Sequence, residues 1–238
     1  MLLSKVNRWL WNTQNWLMPA QCVLCGGPGQ DGRNICTACQ DEMPALGPAC
    51  RQCAVPLPTA ELCGICQRHP RPFVATVAAF PYQPPLDNLI QRLKFQGDLR
   101  LARLLGELMT EGLRARFATP PDVDTMMPVP LHAARLRERG FNQALELARP
   151  LARCLNLPLD AQGAERVRAT APQSGLPAKL RRRNIKGAFR VTAAVAGRRI
   201  AIVDDVMTTG HTVSEFAATL RRAGAVSVTV WLCARVPV

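Results

Sequence analysis

The segment Ile200 to Thr212 (IAIVDDVMTTGHT) carries the residue types needed to hold a phosphorylated sugar. Ile200 to Val203 is an apolar strand suited to a buried sheet, and it runs into Asp204 and Asp205. Thr208, Thr209, Gly210, His211 and Thr212 then open a helix. Amides at a helix N-terminus point at an anion, Gly210 lets the backbone approach it closely, and the threonine hydroxyls add donors. Carboxylates beside a phosphate cradle would repel the phosphate unless they serve another part of the ligand. Hydroxyls of a ribose, met directly or with Mg²⁺, are such a part. A ribose 5-phosphate fits both halves of the segment. His211 itself reads as an exposed loop residue rather than a catalyst.

Cysteine spacing points to a different chemistry at the front of the chain. Cys22/Cys25, Cys36/Cys39, Cys50/Cys53 and Cys63/Cys66 are four CxxC pairs separated by short loops. A CxxC turn aims two sulfurs at one point, and Zn²⁺ takes four such ligands in a tetrahedron, so two pairs close one site and four pairs close two. Gly26 and Gly64 suit the tight backbone of a zinc knuckle. Sequential pairing, first with second and third with fourth, is the expectation; spacing leaves crossed pairing open. A disulfide framework is the weaker alternative, because no secretory signal accompanies the cysteines. Closed thiolate shells leave no open position for water, so both zincs are expected to be structural. Cys154 and Cys233 read as buried thiols acting as small hydrophobes.

Around these motifs, 30 Lys+Arg against 17 Asp+Glu give a net charge of +13, which favours phosphates, pyrophosphate or nucleic acid as ligands. Between Glu165 and Arg199, ten basic residues face the single acid Glu165. Such a run is either a solvated surface or part of an anion site, and its nearness to the phosphate loop favours the second. No apolar run reaches the ~18 residues of a membrane span. Val6, Trp9, Leu10, Trp16 and Leu17 fall at helical spacing, but Asn7, Arg8, Asn12, Gln14 and Asn15 interrupt any secretory apolar region. Residues 1–20 therefore read as a short amphipathic helix docking on its own protein, with a membrane or partner surface as the alternative.

The elements that position the chemistry alternate. Residues 21–70 form the cysteine module, and Pro70 to Pro72 marks a boundary before a larger domain over 71–238. Phe73–Phe80 reads as a strand, Leu86–Phe95 and Leu99–Arg116 as helices, and Thr125–Val129 as a strand. A helix over Asn142–Leu155, a weak strand near Arg166, a loop rich in Pro, Gly and Arg, and a strand over Arg199–Val203 follow. A helix over Val213–Ala223 and a strand over Val226–Leu232 finish the chain. This order predicts an α/β fold with a parallel sheet flanked by helices and ligands at the strands' carboxyl ends.

All thirteen positions of Ile200–Thr212 match the phosphoribosyltransferase signature of four apolar residues, two acids, two apolar residues, two small hydroxyls, Gly, any residue and a small hydroxyl. The segment thus resembles a binding loop for phosphoribosyl pyrophosphate (PRPP), and the larger domain a type I phosphoribosyltransferase fold. Taken with the cysteine pairs, Val129–Gln143 (VPLHAARLRERGFNQ) and Arg181–Phe189 (RRRNIKGAF) make nearly the whole chain resemble the ComF/GntX family. The resemblance implies an N-terminal double zinc ribbon joined to a phosphoribosyltransferase-like domain, an association with uptake or utilisation of external DNA, and no settled reaction. It implies that Asp204 and Asp205 meet the ribose and Mg²⁺, and that Thr208 to Thr212 hold the 5-phosphate. Pro130 to Arg135, with Leu131 and His132 inside it, would meet pyrophosphate, with charge from Arg135, Arg137 and Arg139. Arg139, Gly140, Phe141, Asn142 and Gln143 match a family signature in which Asn142 can also cap the next helix while Phe141 anchors it. Arg168–Asn184 resembles a loop that closes over the ribosyl centre, with Gln173, Arg182 and Asn184 at matching positions. One departure matters: purine-salvage relatives place an Asp where this chain has Thr208, so the acceptor is not expected to be a purine.

Two readings follow. In the first, the protein is a PRPP-dependent pentosyl transferase with an unidentified acceptor, needing no covalent nucleophile. In the second, it is a non-catalytic protein that handles single-stranded DNA with its basic loops and uses PRPP or a nucleotide as a regulatory ligand, alongside other DNA-uptake proteins. Against the second, Glu165 to Arg199 offers only Phe189 for base stacking. A cytoplasmic location is expected in both, with the Trp-bearing N-terminus as the place for any peripheral contact with the inner membrane face.

Overall fold

A computed structural model describes residues 20–59, 61–116, 122–169 and 185–237. The expected helix over 1–20, apart from Ala20, and the loop positions Gln173, Arg182 and Asn184 lie outside the described residues. Packing divides the chain into two compact units, Met1–Pro44 and Ala45–Val238. The division falls inside the cysteine-rich region, so the second set of cysteines shares a unit with the α/β domain.

Among the described residues of the first unit, the short helix α1 (Thr37–Asp41) stands next to a knuckle that turns at Gly26 with φ 77°. The second unit starts with an equivalent knuckle, in which Ala54 takes the left-handed position at φ 55°, and continues into α2 (Gly64–Arg68). Isolated bridges Gln21↔Pro28 and Ala49↔Pro56 brace the two knuckles at the same offset from their cysteines.

Behind the second knuckle, β1 (Ala75–Pro81) leads to α3 (Leu86–Gln91), which continues as a π-helical turn over Arg92–Gln96. Gly97, left-handed at φ 67°, ends that turn before α4 (Leu99–Arg116). Next come β2 (Thr125–Pro128), α5 (Ala133–Arg139) and α6 (Gln143–Leu155). The short strands β3 (Ala164–Arg166) and β4 (Phe189–Val191) pair antiparallel. Finally, β5 (Arg199–Met207), α7 (His211–Arg222) and β6 (Ser227–Arg235) close the chain. β1, β6, β5 and β2 form, in that order, a parallel four-stranded sheet. The α/β reading holds, with one added helix, α5, and a longer β5 that carries both aspartates.

The central strands are apolar on both sides because helices cover both. Ile200, Ile202, Val228, Val230 and Leu232 share a cluster with Phe216 and Leu220 of α7 and with Cys50, Cys53 and Cys66. The alternate residues Ala201, Val203 and Trp231 are fully buried, and α4 and α6 pack on the sheet and on each other. Cys233 is buried as expected, whereas Cys154 is exposed. The buried stripe of α6 runs through Leu147, Ala148 and Leu151 and stops a turn before Cys154.

The α4–α6 contact fixes α6 and, with it, one wall of the site described below. A Cβ on Gly106 would lie 2.2 Å from Pro150 Cγ and 2.8 Å from the Leu147 carbonyl oxygen. Gly106→Ala should therefore overpack this crossing and cost about 1–3 kcal/mol of stability, read as a lower urea midpoint at unchanged slope. An unchanged midpoint would show that the helices separate without cost.

Candidate functional site

β5 brings Asp204 and Asp205 to the carboxyl end of the sheet beside the end of β2, where loops leave the strands and a crevice opens. Their carboxylates are buried, at 8% and 4% exposure, in a strand that continues through Val206 and Met207. Asp204 Oδ1 accepts the Asp205 amide at 2.9 Å. Lys94, from the π-helical turn, forms an ion pair with Asp205. Burial would raise the Asp205 carboxyl, but the Lys94 charge holds it below the usual range. Burial and the neighbouring Asp205 charge push Asp204 well above that range. Among the described residues, no cation forms a salt bridge with Asp204.

After Met207 the chain turns through Thr208, Thr209 and Gly210 into α7. Gly210 takes the left-handed conformation at φ 77°, and a Cβ there would meet Met207 Sδ at 3.1 Å, so only glycine fits without strain. Thr209 Oγ1 lies 3.0 Å from His211 Nδ1, which places His211 on the helix start as part of the loop's own bonding. Asp204 and residues 206–213 line a small recess of about 60 Å³. This is the geometry of an anion cradle: a helix N-terminus opening from a buried strand.

The facing wall comes from the segment after β2. His132 caps α5 through Nδ1, which accepts the Ala134 amide at 3.2 Å, and left-handed Gly140 ends that helix. Asn142 caps α6 by accepting the Ala144 amide at 3.1 Å and donates to the Val129 carbonyl at 3.1 Å, tying α6 to the end of β2. Its part is thus to hold the wall. Buried Gln143 accepts a 2.6 Å bond from Arg139, whose guanidinium lies 5.9 Å from the Phe95 ring centre.

Both walls face one cavity of about 660 Å³, which brings Leu131, His132, Arg135, Arg139 and Gln143 together with Asp204, Asp205 and Thr212. Lys94 and Phe95, to which the sequence gave no role, also line it, as does Arg166, one of the ten basic residues expected near an anion site. Arg166 reaches the cavity from β3, its guanidinium 5.7 Å from the Phe189 ring centre. Four cations, Lys94, Arg135, Arg139 and Arg166, line the cavity with three carboxylates, the buried pair Asp204 and Asp205 and the exposed Glu138, which lies 3.6 Å from Arg135. An anionic ligand with hydroxyls at one end matches that distribution.

The cysteines assemble sequentially. Cys22, Cys25, Cys36 and Cys39 form one tetrad, and Cys50, Cys53, Cys63 and Cys66 the other, each with its sulfurs within 4.8 Å of one another. Burial would raise the Cys50 thiol, but backbone amides of Cys63, Cys53 and Gln52 outweigh it and bring it to about 7. The same balance, with amides of Cys25, Cys36 and Leu24, brings Cys22 to about 6. Burial and the neighbouring Cys53 push Cys66 up. A tetrad that ionises one thiol readily but resists a second charge without a cation fits Zn²⁺ in an all-sulfur shell, with no ligand position left for catalysis.

Comparison with known proteins agrees with both halves. Residues 13–67 match the double zinc ribbon domain family, and residues 142–236 match the phosphoribosyl transferase domain family. The chain is 42% identical over 222 residues to DNA utilization protein YhgH of Escherichia coli O157:H7, covering 92% of this chain and 98% of that one. It is 37% identical over 224 residues to Competence protein F of Haemophilus influenzae, covering 90% and 96% of the two chains. Competence protein ComFC of Bacillus subtilis is 26% identical over 193 residues, covering 77% and 76%. Among the described residues, no helix is long and apolar enough to cross a membrane.

Proposed function

Because the chain belongs to the ComF/GntX family of double-zinc-ribbon proteins with a phosphoribosyltransferase domain, we infer that the cavity at the end of its sheet binds PRPP together with Mg²⁺. One observation carries this reading: the buried Asp204–Asp205 pair and the cradle at residues 208–212 open side by side, opposite a wall that carries Arg135, Arg139 and Glu138. The cradle takes the 5-phosphate through backbone amides and threonine hydroxyls, and the aspartates take the ribose hydroxyls. Arg135, Arg139 and Arg166 face the pyrophosphate.

Asp204 fits a cation of its own. Lys94 is committed to Asp205, and burial beside that second carboxylate leaves Asp204 short of a counter-charge. Asp204 and Asp205 are the oxygen donors that would hold Mg²⁺, which supplies neutralisation of the departing pyrophosphate when bound. Arg139 and Arg166 stabilise the same charge from the protein side, and exclusion of water protects an electron-poor ribosyl centre. Eight cysteines gather in two tetrads with the spacing of a metal shell, which supports a reducing, cytoplasmic setting.

The names of the relatives and the net charge of +13 support a second role, in which PRPP regulates a protein that handles single-stranded DNA. A pyrophosphate-release assay with PRPP, Mg²⁺ and a panel of bases and amines separates the two. A transferase releases pyrophosphate in step with one acceptor. Saturable PRPP binding without release against any acceptor assigns the regulatory role, and absence of binding overturns both.

A further inference from the structure

The second cysteine tetrad is wired to the phosphate cradle through one side chain. Arg235, the last residue of β6, is 3% exposed, and among the described residues it has no carboxylate partner. Its Nε donates to the carbonyl of Cys53, a member of the second tetrad, at 2.8 Å. Its Nη1 lies within donating distance of the carbonyls of Met207, the last residue of β5, at 3.0 Å, of Thr208, the first residue of the turn into the cradle, at 2.7 Å, and of the neighbouring Val236 at 2.5 Å. One planar guanidinium therefore spans the metal knuckle and the anion loop, which a lysine ammonium could not do.

The geometry has a consequence for the loop's donors. In a trans peptide the C=O and the following N–H point in opposite directions. The Met207 carbonyl also accepts the Val236 amide at 3.1 Å, so β6 helps hold that plane, whereas Arg235 holds the Thr208 carbonyl; together they turn the amides of Thr208 and Thr209 away from Arg235, and neither amide has a backbone partner among the described residues. They are left for an anion. A second arginine repeats the link: Arg71, just beyond the tetrad, has Nη1 3.4 Å from Ser214 Oγ in the first turn of α7 and 3.7 Å from the Cβ position of Gly210. Thr76 Oγ1, donating to the Gln52 carbonyl at 2.7 Å, and Gln52 Nε2, donating to that of Phe73 at 3.2 Å, fasten the same knuckle to β1.

We propose that Arg235 is a positioning residue that makes the phosphate cradle depend on the metal-bound form of the second tetrad, so that metal occupancy there and ribose-phosphate binding are thermodynamically coupled. The knuckle sets where the Cys53 carbonyl stands, and Arg235 transmits that position chiefly to the Thr208–Thr209 peptide plane, beyond the end of the β5–β6 pairing, which aims the Thr209 amide. Coupling of this kind is reciprocal: a ligand seated on the amides must in turn hold the knuckle, and with it the zinc.

This inference rests on the reading of the cavity as a PRPP site, and the test separates the two. Zinc is released from the full-length, zinc-loaded chain into a chromogenic chelator, with and without saturating PRPP and Mg²⁺, while PRPP affinity is measured in parallel. In the native chain, PRPP should slow release from the second tetrad by about 5-fold or more, in the range of typical site–site couplings. A Cys22→Ser/Cys25→Ser chain, which keeps the second tetrad, assigns the protected metal. Arg235→Lys should bind both zincs but lose the protection and weaken PRPP binding by about 10-fold or more, since one ammonium cannot span both carbonyl sets. A native chain that fails to bind PRPP overturns the underlying site reading. A native chain that binds PRPP but shows no protection of the second zinc overturns the coupling, even if the Arg235 variant does not fold. An Arg235→Lys chain with native protection and native affinity overturns it as well.

Discussion

Asp204→Asn combined with Asp205→Asn should weaken PRPP binding in the presence of Mg²⁺ by at least about 100-fold, which corresponds to roughly 2.7 kcal/mol. The amide side chains keep the size of the carboxylates but remove the negative charge that the ribose–Mg²⁺ end of the ligand requires. Their burial makes the loss large, because interactions at a desolvated site are not screened by water. Asp205 also balances Lys94, so its replacement strands a half-buried ammonium. Asp204→Asn alone leaves that ion pair in place and separates ligand effects from folding. It should weaken PRPP binding while leaving the unfolding midpoint nearly unchanged. If the double variant binds PRPP as the native chain does, the aspartates do not meet the ligand. If it instead binds single-stranded DNA more tightly, lost negative charge near a basic surface is the explanation.

Removing metal from the second tetrad should have the largest effect on stability. Cys50, Cys53 and Cys66 are buried in the cluster that also contains Ile200, Ile202 and Phe216, so the knuckle is part of the sheet's own core. Structural Zn²⁺ contributes about 10–16 kcal/mol in small zinc modules, as much as the whole stability of a typical domain. Even a third of that, about 4 kcal/mol, would lower the melting midpoint of a unit this size by roughly 10 °C. Cys50→Ser with Cys53→Ser should therefore melt the α/β unit at least about 10 °C lower, seen by circular dichroism, with zinc content falling from two equivalents to one. A chain that loses this zinc and melts at the native temperature would show that the tetrad is an appendage.

How much of this was legible in the sequence depended on whether chemistry left a local pattern. The cysteine tetrads were legible because CxxC spacing is itself the ligand geometry, although only the structure settles sequential assembly. The turn from β5 into α7 was legible because an apolar strand, a glycine and hydroxyls occur in order. The end of β5 was not, because Asp204 and Asp205 break the apolar run while still pairing with β6, Asp204 opposite Leu232. Helix α5 was missed for a related reason. None of its residues is buried, so it has no apolar stripe, and the His132 cap and Gly140 define it instead. Lys94, Phe95 and Arg166 carry no motif; a π-helical turn and a two-stranded ladder bring them to the cavity from distant parts of the chain. Arg235 lies beyond the strand expected over Val226–Leu232, and only the longer β6, whose register sets it opposite Met207, gives it a role. Cys154 shows the opposite error, since helical periodicity assigned burial at a position where α6 has already run past the core.

The most direct test of the central claim is a calorimetric titration of the full-length, zinc-loaded chain with PRPP in the presence of Mg²⁺. The expected result is saturable binding at a single site per chain, weakened when Mg²⁺ is omitted, competed by ribose 5-phosphate, and lost in the Asp204→Asn/Asp205→Asn chain. No saturable binding, or binding that survives the loss of both aspartates, would contradict it.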